Sequence, residues 1–435
     1  MSPLIIGIAG LIVVFLLLFL RMPIAIAFAS VGFFGLCLIK GIGPALSILG
    51  TVPYTAMTMY VWTTVPLFVF MGYLAQHTRL AEEFYDGIRR WVGHFRGGLA
   101  TGVILGNMAF GACTGDSISA SVTFLTVSLP EMRKYKYADT LTTGAVAAGC
   151  QLAVLIPPSL PFIVYGALTE TSIGELFIAG IFPGLLLTVL FIGVIYVLCL
   201  RNPALGPPGP KTTFKEKIGA ARGMWALITM FMVIIGGIYL GLFSPTEAGA
   251  AGAFVVFLLG LVTKRLSWQL LKTAIKDTGR TVPMIGFLVV GTLVFNRFLT
   301  MSGFTVAIAK FVGGLTESPV AFLFIIVLVF FILGMFLDAL SLTLLTIPIL
   351  FPVVKAMGID PIHFGVVFVI VTALGTLTPP FGIVVYAMSG ATRDISLLTI
   401  FRGVVPFVIA MLVCNLLAVF FPQISLFLPG TMMNR

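Results

Sequence analysis

Two aspartates stand alone in long apolar stretches of this 435-residue chain, and their neighbours define the chemistry on offer. Asp116 lies in Thr114-Gly115-Asp116-Ser117-Ile118-Ser119, and Asp338 in Gly334-Met335-Phe336-Leu337-Asp338-Ala339-Leu340-Ser341. A carboxylate at the centre of a membrane helix costs roughly 2.5–3.5 kcal/mol on insertion scales, so it usually pairs with something. Two further stretches join short hydroxyl residues to proline pairs: Ile156-Pro157-Pro158-Ser159 and Gly375-Thr376-Leu377-Thr378-Pro379-Pro380. Adjacent prolines remove two helix donors and clash with the preceding turn, so a helix must break at each pair. A broken helix offers unpaired amides to anions at one end. At the other it offers unpaired carbonyls, which suit a small hard cation such as sodium. Thr114, Ser117, Ser119, Ser121, Thr376 and Thr378 add hydroxyl oxygens nearby. The competing structural reading is that the aspartates cap helices and the small residues allow close packing.

The elements that must hold these residues are membrane-embedded. The chain is 59% hydrophobic and 9% charged, which excludes a soluble globular protein and marks a polytopic membrane protein. A net charge of +10 invites a nucleic-acid reading, but the cations are dispersed in short loops between apolar runs, as topology determinants are. No nucleic-acid partner is expected. The five cysteines lie in apolar segments without a CxxC pair, so neither a disulfide nor a zinc framework is expected. There is no HExxH and no GxxxxGK[ST], so neither a zinc protease nor a P-loop ATPase is expected. Met1–Leu20 lacks a basic start and a cleavage site and is followed by Arg21, so it reads as a retained first span.

The stretch from Gly97 to Pro130 is decisive for topology. Arg89, Arg90 and Arg96 precede it, and Arg133, Lys134 and Lys136 follow it. A single crossing would need only about 20 residues, but it would leave one basic cluster outside, against the positive-inside rule. A helical hairpin that dips in and returns satisfies both flanks. Its non-helical tip then sits at membrane depth, tolerated only inside protein or beside a water-filled cavity. Pro319–Pro352, interrupted at Gly334–Ser341, reads as a second such hairpin.

Around the hairpins the expected spans are Pro3–Leu20, Pro23–Ile39, Tyr60–Gln76, a broken span Asp139–Leu168 and Ile173–Leu200. Then come Trp225–Phe243, Gly249–Val262, Thr281–Leu299, a broken span Ile362–Ser389 and Gly403–Phe421. Gly41–Met59 is proline-interrupted and expected partly in the interface. Leu80, Phe84, Ile88 and Trp91 recur every three or four positions and predict an amphipathic surface helix; Phe304–Leu315 reads as a second. Glu247, after a proline, is expected to start a helix. The fold class is therefore all-α and polytopic, with about ten spans and two re-entrant hairpins.

The chain also repeats. Asp116 and Asp338 are 222 positions apart, as are Ser119 and Ser341, Pro130 and Pro352, Pro157 and Pro379, and Pro158 and Pro380. Five spans, an odd number, separate the hairpins, so the second opens from the opposite side. Inverted repeats with helices broken at corresponding places point to a secondary transporter's midplane site. All the Lys and Arg residues but Lys40, Arg297, Lys310, Lys355 and Arg435 then share one side, which places both termini outside the cytoplasm.

Taken in order, these motifs resemble a known family. GGLATGVILGNMAFGACTGDSISASVTF, LPEM, AGCQLAVLIPPSLPFIVYG, FSPTEAGAAGA, LGMFLDALSLTLLTIPILFPVVKAMGIDPIHFGVV and LGTLTPPFGIVVYAMSG are similar to the large membrane subunit of the tripartite ATP-independent periplasmic (TRAP) transporters. The resemblance implies a multi-pass protein of the bacterial inner membrane and a sodium-coupled, elevator-type importer of organic acids. It also implies a periplasmic substrate-binding protein and a small four-helix membrane subunit as partners. By the same resemblance, residues 1–96 and 224–316 form a scaffold and 97–200 and 317–435 the two halves of a moving transport domain. Residues 201–223 form a basic cytoplasmic loop. One sodium site would pair Gly115–Ser119 with Ile156–Ser159, and the other would pair the tip bearing Asp338 with Gly375–Pro380. Many members carry Gly-Ser-Ser where this chain has Gly115-Asp116-Ser117. A self-sufficient sodium–carboxylate symporter of the related ion-transporter superfamily, needing no binding protein, is the alternative reading. A channel and an intramembrane enzyme are disfavoured, the first by the paired hairpins and the second by the absence of a paired catalytic constellation.

Overall fold

The computed structural model describes residues 2–20, 22–209, 212–314, 316–392 and 394–432. The expected orientation determinants Arg21, Lys211, Arg393 and Arg435, and Leu315 at the end of the second surface helix, lie outside them. Among the described residues the regular structure is helical throughout. The first half runs α1 (Pro3–Phe19), α2 (Ile24–Lys40), α3 (Ile42–Met57), α4 (Thr64–His77), α5 (Leu80–Val92), α6 (Gly98–Thr114), α7 (Ser117–Lys134), α8 (Asp139–Gln151), α9 (Leu160–Thr169) and α10 (Ile173–Arg201). The second runs α11 (Phe214–Tyr239), α12 (Pro245–Val262), α13 (Trp268–Met301), α14 (Phe304–Gly313), α15 (Pro319–Gly334), α16 (Ala339–Ala356), α17 (Pro361–Gly375), α18 (Ile383–Ala391), α19 (Leu397–Phe420) and the short α20 (Gln423–Leu426).

Both stretches expected as hairpins divide into two helices where expected, α6–α7 and α15–α16, and both proline pairs break their spans, into α8–α9 and α17–α18. The 222-residue offset extends to whole elements: α7 and α16 coincide end to end under it, and α2, α6, α8 and α9 fall within three residues of α12, α15, α17 and α18. Packing follows the same correspondence. α4 lies on α12 as α13 lies on α2, and α6 lies on α8 as α15 lies on α17.

Five helices among the described residues are long and apolar enough to cross a membrane unaided, α10, α12, α13, α16 and α19, or seven if two bent pairs count as spans. The shortfall from ten has a physical origin. A span broken at prolines supplies two short helices, and α1 and α2, at 17 residues each, sit at the lower limit of about 17 for a crossing. Large apolar side chains such as Leu16, Phe34, Val189 and Phe254 are exposed, as a lipid-facing surface requires and a soluble one avoids.

Three expectations are corrected. Lys264 to Arg280 reads as a basic stretch between spans seven and eight, but from Trp268 onward it joins span eight in one 34-residue helix, α13. The loop 201–223 ends early, because Thr213 and Glu216 close a capping box that starts α11 at Phe214. Residues 42–57 form a regular helix despite Pro53, bent by 60° from Tyr60–His77. Glu247 does start a helix, in a capping box with Ser244.

The loops expected on one side do meet at one end of the bundle. Arg89 on α5 pairs with Glu131 on α7, and Arg265 after α12 pairs with Glu83 on α5. Arg133 donates from Nε and Nη2 to Asp139 at 2.9 and 2.8 Å and from Nη1 to Asp394 between α18 and α19. Half-exposed pairs of this kind each contribute little to stability, about 0–1 kcal/mol. Their value here is topological, since they tie both halves together at a shared end.

Candidate ion and substrate site

Each tip is built by helix termination. Gly115 ends α6 in the left-handed conformation at φ +62°, which glycine adopts without a Cβ penalty. Asp116 then caps α7, its Oδ1 accepting from the Ile118 amide at 3.3 Å and its Oδ2 from the Ser119 amide at 2.8 Å. Asp338 caps α16 in the same way, accepting from the Leu340 and Ser341 amides at 3.0 and 3.2 Å and from the Ser341 hydroxyl. The structural reading of both aspartates is thus realised. It does not use them up, because a carboxylate has about four acceptor positions.

The first tip seats on the first break. A Cβ on Gly115 would lie 2.9 Å from the Pro158 carbonyl oxygen, and one on Gly111 would lie 2.4 Å from Ala153 Cα. Phe68, Thr114, Gly115, Pro158, Leu160 and Ile163 line one shallow crevice there. Ile156, Pro157, Pro158 and Ser159 are all buried, and the Ser159 hydroxyl reaches back to the Val154 carbonyl at 2.5 Å instead of capping α9. Ser117 is buried at the start of α7, whereas Ser119 is exposed.

The second tip seats on the second break. Gly334 and Gly375 meet backbone to backbone, with a Cβ on Gly375 only 2.5 Å from Gly334 Cα. Phe336 of the tip packs on Phe381, just beyond Pro380, at 5.1 Å between ring centroids. Thr376 and Thr378 turn their hydroxyls onto the Ala373 and Leu374 carbonyls at 2.7 and 2.9 Å. Hydroxyls held this way keep their lone pairs free to accept a cation. The two breaks are not equally covered: Pro379 and Pro380 are exposed where Pro157 and Pro158 are buried. Both proline–proline peptides are cis.

The two sites adjoin. α9, beyond the first break, packs on α16 of the second hairpin, and α18, beyond the second break, packs on α7 of the first. Gln151, the last residue of α8, accepts a hydrogen bond from the Thr376 hydroxyl at 3.3 Å, so the breaks touch directly. Sequence reading passed over Gln151, although an amide in the otherwise apolar run before a proline break was a usable signal. The assembled chemistry is two carboxylates, several hydroxyls and two sets of helix ends, partly buried and partly open to the surface.

Comparison with known proteins places this arrangement in context. Residues 11–424 match the family model described as the tripartite ATP-independent periplasmic transporter, DctM component. The sialic acid TRAP transporter large permease protein SiaM of Vibrio cholerae is 32% identical, over 84% of this chain and 85% of that one. The C4-dicarboxylate TRAP transporter large permease protein DctM of Pseudomonas aeruginosa is 33% identical, over 85% and 86%. Among solved structures, the Alcanivorax borkumensis YdaH transporter superposes with a TM-score of 0.62 at 14% identity, over 88% of this chain and 89% of that one. At that identity the likeness is one of fold alone.

Proposed function

Because this chain belongs to the tripartite ATP-independent periplasmic transporter family, as its DctM component, we propose that it carries a small organic acid through the bacterial inner membrane, driven by sodium. The observation that carries this reading is the pairing of each aspartate-capped tip with a proline-broken helix, and the meeting of both pairs through Gln151 and Thr376. In this reading the repeat is inverted, so the two tips approach the midplane from opposite sides. Gly115–Ser119 with Ile156–Ser159 holds one cation, and the second tip, including Asp338, with Gly375–Pro380 holds another. Residues 97–200 and 317–435 move together as an elevator against 1–96 and 224–316, and both termini are periplasmic.

The energetics favour ion coupling. Moving one net positive charge inward is worth about 2.3 kcal/mol per 100 mV, and a tenfold accumulation needs about 1.4 kcal/mol. A periplasmic binding protein delivers the acid, and a small four-helix subunit completes the membrane complex. The names of the relatives, sialic acid and C4-dicarboxylate transporters, support a carboxylate as cargo.

The test is reconstitution of the chain with its small subunit in proteoliposomes. An inward sodium gradient and loaded binding protein should together drive uptake, and either alone should not. Uptake of free acid without binding protein would instead identify a self-sufficient symporter. Uptake indifferent to sodium would remove the proposed coupling.

A further inference from the structure

We propose that Gln151 is the positioning residue through which cation occupancy at one break is sensed at the other; this rests on the sodium reading above. The Thr376 hydroxyl has one proton and two acceptors within reach, the Ala373 carbonyl at 2.7 Å and Gln151 Oε1 at 3.3 Å. A cation bound by the Thr376 oxygen takes its lone pairs and repels the proton. The proton then turns from the carbonyl of its own helix to the Gln151 side chain. That side chain is almost wholly buried, and its own amide is weakly held, at 3.5 Å from both the Ala147 carbonyl and Cys150 Sγ. It is therefore free to follow Thr376.

Gln151 is also where the first site begins. It ends α8 and enters the single turn Leu152–Val154. The carbonyls of that turn hold the first break together, Leu152 accepting from the Ile156 amide at 2.8 Å and Val154 from the Ser159 hydroxyl at 2.5 Å. Pulling Gln151 toward Thr376 shifts this turn, and with it the break whose Pro158 carbonyl oxygen lies against Gly115 of the first tip. A two-position hydroxyl biased by both sites is the physical element that coupling requires, and by linkage the effect runs equally in both directions.

The measurement is the sodium dependence of uptake by the full complex, paired with the sodium dependence of the purified chain's melting temperature. The wild type should respond cooperatively, with a Hill coefficient above one. Gln151→Met keeps the volume and removes the acceptor. It should still transport at saturating sodium, with a Hill coefficient near one and a half-saturating sodium concentration raised about fivefold or more. Gln151→Asn keeps a buried amide but stops one methylene short of Thr376, so it should behave as the Met variant does. A merely structural need for polarity would leave the Asn variant like the wild type, and that result overturns the proposal. So does an unchanged Hill coefficient in whichever variant folds, or a non-cooperative wild type. A wild type without any sodium response overturns this proposal and the sodium reading together.

Discussion

Asp338→Asn should leave the protein folded and membrane-inserted while its sodium affinity falls about 10- to 100-fold. Asparagine and aspartate are nearly equivalent helix caps, so the side-chain oxygen of the introduced asparagine can still accept from the Leu340 and Ser341 amides that Asp338 now holds. What disappears is the charge. Interactions with an ionised group contribute roughly 1.5–3 kcal/mol, and each 1.4 kcal/mol is about tenfold in affinity. Asp338→Ala removes cap and charge together. It should add a stability loss of about 1 kcal/mol, visible as a lower melting temperature, and abolish sodium-driven uptake. Sodium titrations of uptake, normalised to protein in the membrane, separate the two roles. If the Asn variant matches the wild type in sodium affinity, Asp338 is a cap and nothing more.

That ambiguity between cap and ligand marks the limit of what the chain discloses in one dimension. Both hairpins, both breaks and the 222-residue offset are legible because they are written in local punctuation. Glycine, proline, aspartate and serine act on the backbone within a few residues of themselves. Where polar side chains disfavour lipid without disfavouring helix, the same reading goes astray. Lys272, Lys276 and Arg280 look like a loop, yet they lie on α13, which simply runs on beyond the apolar zone. Thr213 and Glu216 were a legible helix start three residues apart, masked by the basic residues around them. The contact between Gln151 and Thr376 spans 225 positions, and no local rule reaches so far. Nor does local sequence distinguish the buried proline pair from the exposed one, since burial there is decided by elements distant in the chain, such as Phe68 of α4 beside Pro158.

Seating can be tested directly at Gly375, where an added methyl should cost more than at any exposed glycine. A Cβ there would lie 2.5 Å from both Cα and C of Gly334 and 3.0 Å from its oxygen. These are backbone atoms at the end of α15, with no flexible side chain to yield, so the tip must withdraw by roughly 1 Å to reach ordinary contact. Overpacking of this kind typically costs about 1–3 kcal/mol. In the proposed site the withdrawal also parts the second tip from its break, so Gly375→Ala should reduce sodium-driven uptake about 10- to 100-fold. Gly334→Ala is the milder case, since its Cβ would lie 3.1 Å from Gly375 Cα. Gly390→Ala, on α18 with nothing within 4 Å, should transport normally and gain up to about 1 kcal/mol from helix propensity. Uptake and melting temperature across the three variants give a ranking set by geometry alone. A Gly375→Ala protein that transports as well as Gly390→Ala would mean that transport does not need the second tip held against its break, and the paired-site reading would fail with it.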